Sequence, residues 1–155
     1  MLSRCSFIIF LSMFLGRCAS DSYNPDNVHE SFSALSLQFK DEKYEQVDIT
    51  SEIELIRENL NTLISDKQVL VKVAVDEGKT IWTKKVVFYQ VLENLISNSI
   101  KYSDPQKTTR FVKVEAKDSN EGVTLYVSDN GLGIPEEYLG ELFGMFKRFH
   151  KSTSF

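Results

Sequence analysis

Apolar and polar positions change period several times along this chain, and each change marks an element. The first apolar run, Cys5 to Gly16, lies between Arg4 and Arg17. It is far shorter than the roughly 20 apolar residues a spanning helix needs. Followed by the small residues Cys18-Ala19-Ser20, it has the layout of a cleavable signal peptide. A misassigned start, or the remnant of a longer upstream helix, is the alternative reading of residues 1–20. Asp21 to Glu30, with Asn24-Pro25-Asp26-Asn27, is polar and turn-rich and reads as a linker that carries His29.

From Tyr44 the pattern becomes that of a fold. Gln46 to Ile49 is a short strand candidate. Thr50 and Ser51 offer N-cap oxygens, and Ser51 with Glu54 matches a capping box. Ile53, Ile56, Leu60, Leu63 and Ile64 follow at helical spacing, which predicts an amphipathic helix over about 51–65. Val69, Val71, Val73 and Val75 alternate as in a half-buried strand. Glu77-Gly78-Lys79 is a turn, and Thr80 to Thr83 a short pairing strand. Helical periodicity returns from Lys84 to Tyr102, with Val87, Val91, Leu95 and Ser99 on one side; Pro105 stops it. Arg110 to Lys117 and Val123 to Ser128 alternate around a polar turn, predicting a hairpin. Asp129 to Pro135 is a loop, and Pro135-Glu136-Glu137 opens another helix. The order of elements predicts a two-layer α/β sandwich, a mixed sheet covered on one face by helices.

Composition narrows the function classes. The 155 residues are 42% hydrophobic and 26% charged, as in a globular domain. A net charge of −4 argues against a general nucleic-acid binder, which needs a basic excess. Cys5 and Cys18 have neither metal-site spacing nor the numbers for a disulfide framework. The chain has no Gly-x4-Gly-Lys-Ser/Thr loop, no His-Glu-x2-His, no Gly-x-Ser-x-Gly and no Gly-x-Gly-x2-Gly.

Two features carry chemistry. Asn94, Asn98 and Lys101 stand at i, i+4 and i+7 of the second long helix and share a stripe. Asparagine is a mediocre helix former, because its side chain competes for backbone hydrogen bonds. Amide oxygens one turn apart can hold a hydrated Mg²⁺ beside phosphates, and a lysine one turn on adds a cation. A solvated polar stripe, or a buried amide pair bridging helix to sheet, is the simpler reading of the spacing. The second feature is Asp129-Asn130-Gly131-Leu132-Gly133. A carboxylate at a strand end can accept from an exocyclic amine, and glycines let backbone pass close to a flat ligand; an ordinary turn uses the same residues.

Together, and separated by one hairpin, these segments resemble the ATP-binding domain of sensor histidine kinases. That domain belongs to the Bergerat-fold superfamily of gyrase B, the MutL repair proteins and one class of heat-shock chaperones. Asn94-Leu-Ile-Ser-Asn98-Ser-Ile-Lys101-Tyr102 resembles the family's N box, and Asp129 to Gly133 its G1 box. Leu142-Phe143-Gly-Met-Phe146-Lys-Arg148 resembles the F box, where the lid over the nucleotide begins. The resemblance covers 44–155. It implies that Asp129 binds the adenine amino group and that Gly131, Gly133 and Ile134 shape the adenine pocket. Asn98 would be the main Mg²⁺ ligand, Asn94 a second polar contact, and Lys101 and Tyr102 contacts to phosphate or ribose. Phe143 and Phe146 would belong to the lid, and Arg148, with Lys147, would approach the phosphates; a solvated charge run is the alternative for Lys147 to Lys151. Hydrolysing relatives have Glu where Asn94 stands, so its absence implies a kinase that passes phosphate on. Glu93 lies about 100° round the helix and is not assigned as a base. Ser99 stands where the family more often has Ala.

The resemblance also sets expectations that these residues do not meet. A G2 box and the closing helix and strands are expected after Phe155, which reads as truncation. A phosphoacceptor histidine is expected in a dimerising helical hairpin. His29, in a Pro/Asn-rich linker, and His150, in the lid, do not fit that role, and 21–43 reads as linker or a remnant of the hairpin. No catalytic residue is therefore assigned. The implied function is ATP-dependent phosphorylation of a histidine in the same or a related kinase, then transfer to a response regulator, in a cytoplasmic domain. The alternatives are a non-catalytic nucleotide- or partner-binding module and a vestigial secreted protein.

Overall fold

The computed structural model of the chain describes residues 41–119 and 122–133, and the backbone of residues 6–9. The elements are β1 (Ser6–Ile9), β2 (Tyr44–Asp48), α1 (Ile49–Asn59), α2 (Asn61–Lys67), β3 (Val69–Ala74), β4 (Thr80–Lys84), α3 (Lys85–Lys101), β5 (Arg110–Ser119) and β6 (Gly122–Asp129).

The first helix starts earlier than the cap pattern predicts. Asp48, not Thr50 or Ser51, is its N-cap, and the Asp48 carboxylate accepts from Ser51 N at 2.7 Å. The cause is tertiary. Ile49, Ile53 and Ile56 are all fully buried, so beginning the helix at Ile49 puts three isoleucines of one face into the core. The Ile49 N–H donates to Lys79 O at 3.0 Å, which fixes the helix start against the turn before β4.

The single helix predicted over 51–65 is two. Leu60, at φ −94° and ψ 7°, separates α1 from α2. The bonds Leu60 N to Ile56 O and Ile64 N to Leu60 O, both 2.9 Å, carry the ladder around the bend. Asn59 and Asn61 flank it, both weak helix formers. Asn59 Nδ2 donates to the Tyr89 hydroxyl on α3 at 2.8 Å, a bond that rewards the bend. Gln68 ends α2 in the left-handed region at φ 52° and turns the chain into β3.

Strand pairing gives a mixed four-stranded sheet in the order β1-β6-β5-β3 and a separate antiparallel pair, β2-β4. The predicted hairpin is β5-β6, with Val114 opposite Val127. β3 runs parallel to β5, with Val71 opposite Val112; a parallel pair needs a long crossover, which here contains β4 and α3. Ser6–Ile9, within the segment read as a leader, lies antiparallel to β6, with Ile9 opposite Leu125.

The core lies between this sheet and the helices. Val69, Val112, Val114, Leu125 and Val127 meet Ile53 and Ile56 of α1 and Phe88, Leu92, Ile96 and Ile100 of α3. The deepest line of α3 is thus one residue on from the predicted Val87-Val91-Leu95-Ser99 line. Val87, Val91 and Leu95 are partly buried, because α3 carries two adjacent apolar stripes and so a broad covered face. On the sheet's other face Leu70 and Lys72 are exposed, and Lys72 Nζ lies 5.2 Å from the Phe111 ring centroid. The linker with His29, the helix opened by Pro135, the F box and His150 lie outside the described residues.

Candidate functional site

The core line of α3 decides what its other side can do. With Leu92, Ile96 and Ile100 turned inward, Asn94, Asn98 and Lys101 stand exposed together on the opposite stripe, and Tyr102 is exposed at the C-cap. The reading of the two asparagines as a buried bridge to the sheet is thereby excluded. Among the described residues neither side-chain amide has a hydrogen-bond partner. The helix closes with Tyr102 N donating to Asn98 O at 2.9 Å and Ser103 N to Ile100 O at 3.2 Å.

At the other end of the helix, Lys85 Nζ lies 2.9 Å from Glu52 Oε1. The hydrogen bond to Glu52, with its charge, holds the lysine's pKa above the ordinary value. Glu52 is buried, and its Oε2 has no partner among the described residues. This bridge ties the start of α3 to the first turn of α1.

The loop after β6 is built onto the end of α3. Leu132 N donates to Tyr102 O at 3.0 Å. Gly131 sits against the same carbonyl so closely that a Cβ would lie 2.4 Å from it. Glycine is required here by a contact within the protein, where the sequence suggested room for a flat ligand. Asp129 Oδ1 accepts from Gly131 N at 2.8 Å, an Asx turn that fixes the carboxylate at the strand end. Gly133 follows at φ 72°, a conformation suited to glycine. The predicted residues Asn98, Lys101, Tyr102, Asp129, Gly131 and Gly133 therefore fall on one continuous piece, the end of α3 and the loop docked on it.

Sequence reasoning missed two members of this piece. Asn130 Oδ1 accepts from Phe111 N at 3.0 Å and its Nδ2 donates to Thr109 O at 2.8 Å. Lys107 Nζ donates to the Asn130 carbonyl. The crossover between α3 and β5 is itself organised: Asp104 Oδ1 accepts from Gln106 N at 2.9 Å, and Arg110 donates to Lys67 O at 2.5 Å and to Pro105 O at 3.4 Å. An asparagine beside a glycine signals a turn. Nothing local signals a bond to residues 19 and 21 positions away. Ile134, Phe143, Phe146 and Arg148 lie outside the described residues.

Chemically, the piece offers a fixed carboxylate acceptor, an exposed amide stripe and a cation. No group of three or more His, Cys, Asp or Glu side chains that could hold a metal occurs among the described residues. Two amide oxygens are too few for a resident metal centre. They suit Mg²⁺, which keeps most of its waters and arrives with phosphate oxygens.

The family described as histidine kinase-, DNA gyrase B- and HSP90-like ATPases matches residues 83–155. Cyanobacterial phytochrome B of Nostoc is 34% identical over 76 residues, 48% of this chain and 10% of its own length. Signal transduction histidine-protein kinase ArlS of Staphylococcus haemolyticus is 29% identical over 112 residues, 72% of this chain and 24% of its own length. The chain thus spans a quarter or less of these relatives. The catalytic domain of histidine kinase ThkA superposes with a TM-score of 0.60 at 20% identity, over 68% of this chain and 70% of that one, a likeness of fold. ThkA in complex with the response regulator TrrA superposes at 0.58 and 19%, over 77% and 36%. The family match spans α3, the hairpin and the docked loop just described, so residues 83–155 form a segment similar to the histidine kinase-, DNA gyrase B- and HSP90-like ATPases, with sensor histidine kinases among its relatives in sequence and in fold.

Proposed function

We propose that the end of α3 and the Asp129–Gly133 loop bind the adenine and phosphates of ATP together with Mg²⁺, in service of a histidine-to-aspartate phosphorelay. The observation that carries this reading is the bond from Leu132 N to Tyr102 O, which sets the Asp129 carboxylate and the Asn98 stripe in one rigid frame. Asp129 accepts from the adenine amino group, its other oxygen side already held by Gly131 N. Gly131, Gly133 and Ile134 border the base. Lys101 and Tyr102 meet phosphate or ribose, and Phe143, Phe146 and Arg148 belong to the lid.

Asn98, with Asn94 beside it, would hold Mg²⁺ through amide oxygens and water, and the ion would neutralise phosphate charge and orient the triphosphate. The position of Asn94 has no carboxylate to activate water, which suits a site that keeps ATP for transfer. His29 stands in a Pro/Asn-rich stretch and His150 in the segment likened to the lid, so the acceptor histidine is assigned to a separate hairpin domain of the same or a related kinase. A response regulator is the expected downstream partner, supported by the ThkA–TrrA complex. A dependence on ATP fits a cytoplasmic domain. Among the described residues no helix is long and apolar enough to cross a membrane.

Titrating the 155-residue chain with a ribose-labelled fluorescent ATP, with and without Mg²⁺, tests the reading. Saturable binding that Mg²⁺ strengthens, and that loses this Mg²⁺ dependence in Asn98→Ala, supports it. Binding indifferent to Mg²⁺ in both proteins removes the metal assignment and leaves the described residues as an adenine site alone.

A further inference from the structure

We propose that Asn130, assisted by Lys107, is a positioning residue that sets base selectivity by fixing where the Asp129 carboxylate points. The proposal rests on the reading of Asp129 as the partner of the adenine amino group.

The β5-β6 ladder ends at the pair Val112 and Asp129. The next rung would pair Phe111 with residue 130, but there the backbone leaves to form the loop. The Asn130 side chain fills that rung. Its amide has the donor and acceptor of a peptide group, and it takes Phe111 N at 3.0 Å and offers Nδ2 to Thr109 O at 2.8 Å. The ladder therefore continues through a side chain while the main chain turns away. The freed Asn130 carbonyl does not point unpaired into the loop, because Lys107 Nζ donates to it.

Asp129 consequently sits between the last backbone rung on one side and a side-chain rung on the other. Its carboxylate has a single described restraint of its own, the Gly131 N–H at 2.8 Å. That restraint is only as firm as the backbone of residues 130 and 131. Two contacts hold this backbone: Leu132 N on Tyr102 O from the helix side, and the Asn130–Lys107 clamp from the strand side. Removing the clamp leaves Phe111 N and Thr109 O without their partner and lets the peptide between Asp129 and Gly131 rotate. The carboxylate then loses its fixed direction, although Asp129 itself is intact.

Base discrimination separates positioning from mere stabilisation. Inosine has a carbonyl oxygen where adenine has the amino group, so a fixed carboxylate accepts from ATP and repels ITP. Partial unfolding scales both affinities by the same folded fraction and leaves their ratio unchanged. The experiment measures ribose-labelled fluorescent ATP and ITP on the full chain and on Asn130→Ala and Lys107→Met. The unaltered chain is expected to prefer ATP by at least about tenfold, since a site built on a buried hydrogen bond rejects the analogue that cannot make it. Asn130→Ala is expected to bring the ratio close to parity, and Lys107→Met to move it in the same direction by less. A preference in the unaltered chain that both variants retain would overturn the positioning role while leaving the adenine reading intact. Equal binding of ATP and ITP by the unaltered chain would overturn the adenine reading, and this proposal with it.

Discussion

Gly131 and Tyr102 meet more closely than any side chain would allow: a Cβ on Gly131 would stand 2.4 Å from the Tyr102 carbonyl oxygen and 3.1 Å from Asp129 Oδ1. The loop lies against the end of α3 because this position has no side chain. Gly131→Ala must push backbone from backbone. We expect it to break the bond from Leu132 N to Tyr102 O and to cost about 1–3 kcal/mol, as overpacking does. Denaturant unfolding and nucleotide titration of the same preparation check this, with affinity falling more than stability.

Ile100 is fully buried one residue before Lys101, so it holds the exposed stripe in place from beneath. Ile100→Ala should destabilise the domain by about 2–5 kcal/mol through lost burial and the cavity left behind. Chemical denaturation followed by the loss of helical circular dichroism measures it.

The cap at Asp48 predicts an acid-side dependence. Hydrogen bonds from the Ser51 backbone, and then from its side chain, hold the Asp48 carboxyl below the ordinary 3.8. A depressed folded pKa gives stability that is present above pH 3.8 and is lost as pH falls through the lower folded value. Asp48→Ala should lower the melting temperature at neutral pH and flatten the acid limb of the profile. Melting curves from neutral pH down to about 3 compare the two proteins across that limb.

Lys85 gives the opposite limb. Its pKa is raised above 10.5 by the hydrogen bond to Glu52 and then by the Glu52 charge. A raised folded pKa gives stability that is fully present below 10.5 and is lost as pH rises through the higher folded value. Lys85→Met should lower stability at neutral pH, because it leaves the buried Glu52 carboxylate without its cation, and should abolish the alkaline loss. Glu52→Gln in the Lys85→Met background should recover part of the stability. Unfolding midpoints at neutral and strongly alkaline pH distinguish these outcomes.

The periodic parts of the fold were legible because burial imposes them directly. Alternation at Val69 to Val75 and at Arg110 to Ser128 became strands, and the spacing of Asn94, Asn98 and Lys101 became an exposed stripe. The features that were not legible depend on contacts distant in sequence. Asp48 caps α1 because Ile49 is drawn into the core, and Leu60 bends the helix where Asn59 reaches Tyr89. The capping-box pattern at Ser51 and the unbroken apolar spacing through Leu60 could not show either. At the site, Asp129 and the glycines were visible as a pattern. Gly131's reason, a carbonyl 29 positions earlier, and Asn130's role as a ladder rung were not, because neither leaves a local trace.

Asp129 is the proposed partner of the adenine base, and the ATP affinity of Asp129→Asn measures that role. An amide at this position can still accept from Gly131 N through its oxygen, so the loop keeps its shape, but it loses the charged acceptor facing the base. A hydrogen bond to a charged group contributes about 1.5–3 kcal/mol, so affinity should fall by roughly ten- to a hundredfold with little change in the unfolding midpoint. Equal ATP affinity in the two proteins would show that Asp129 does not hold the base.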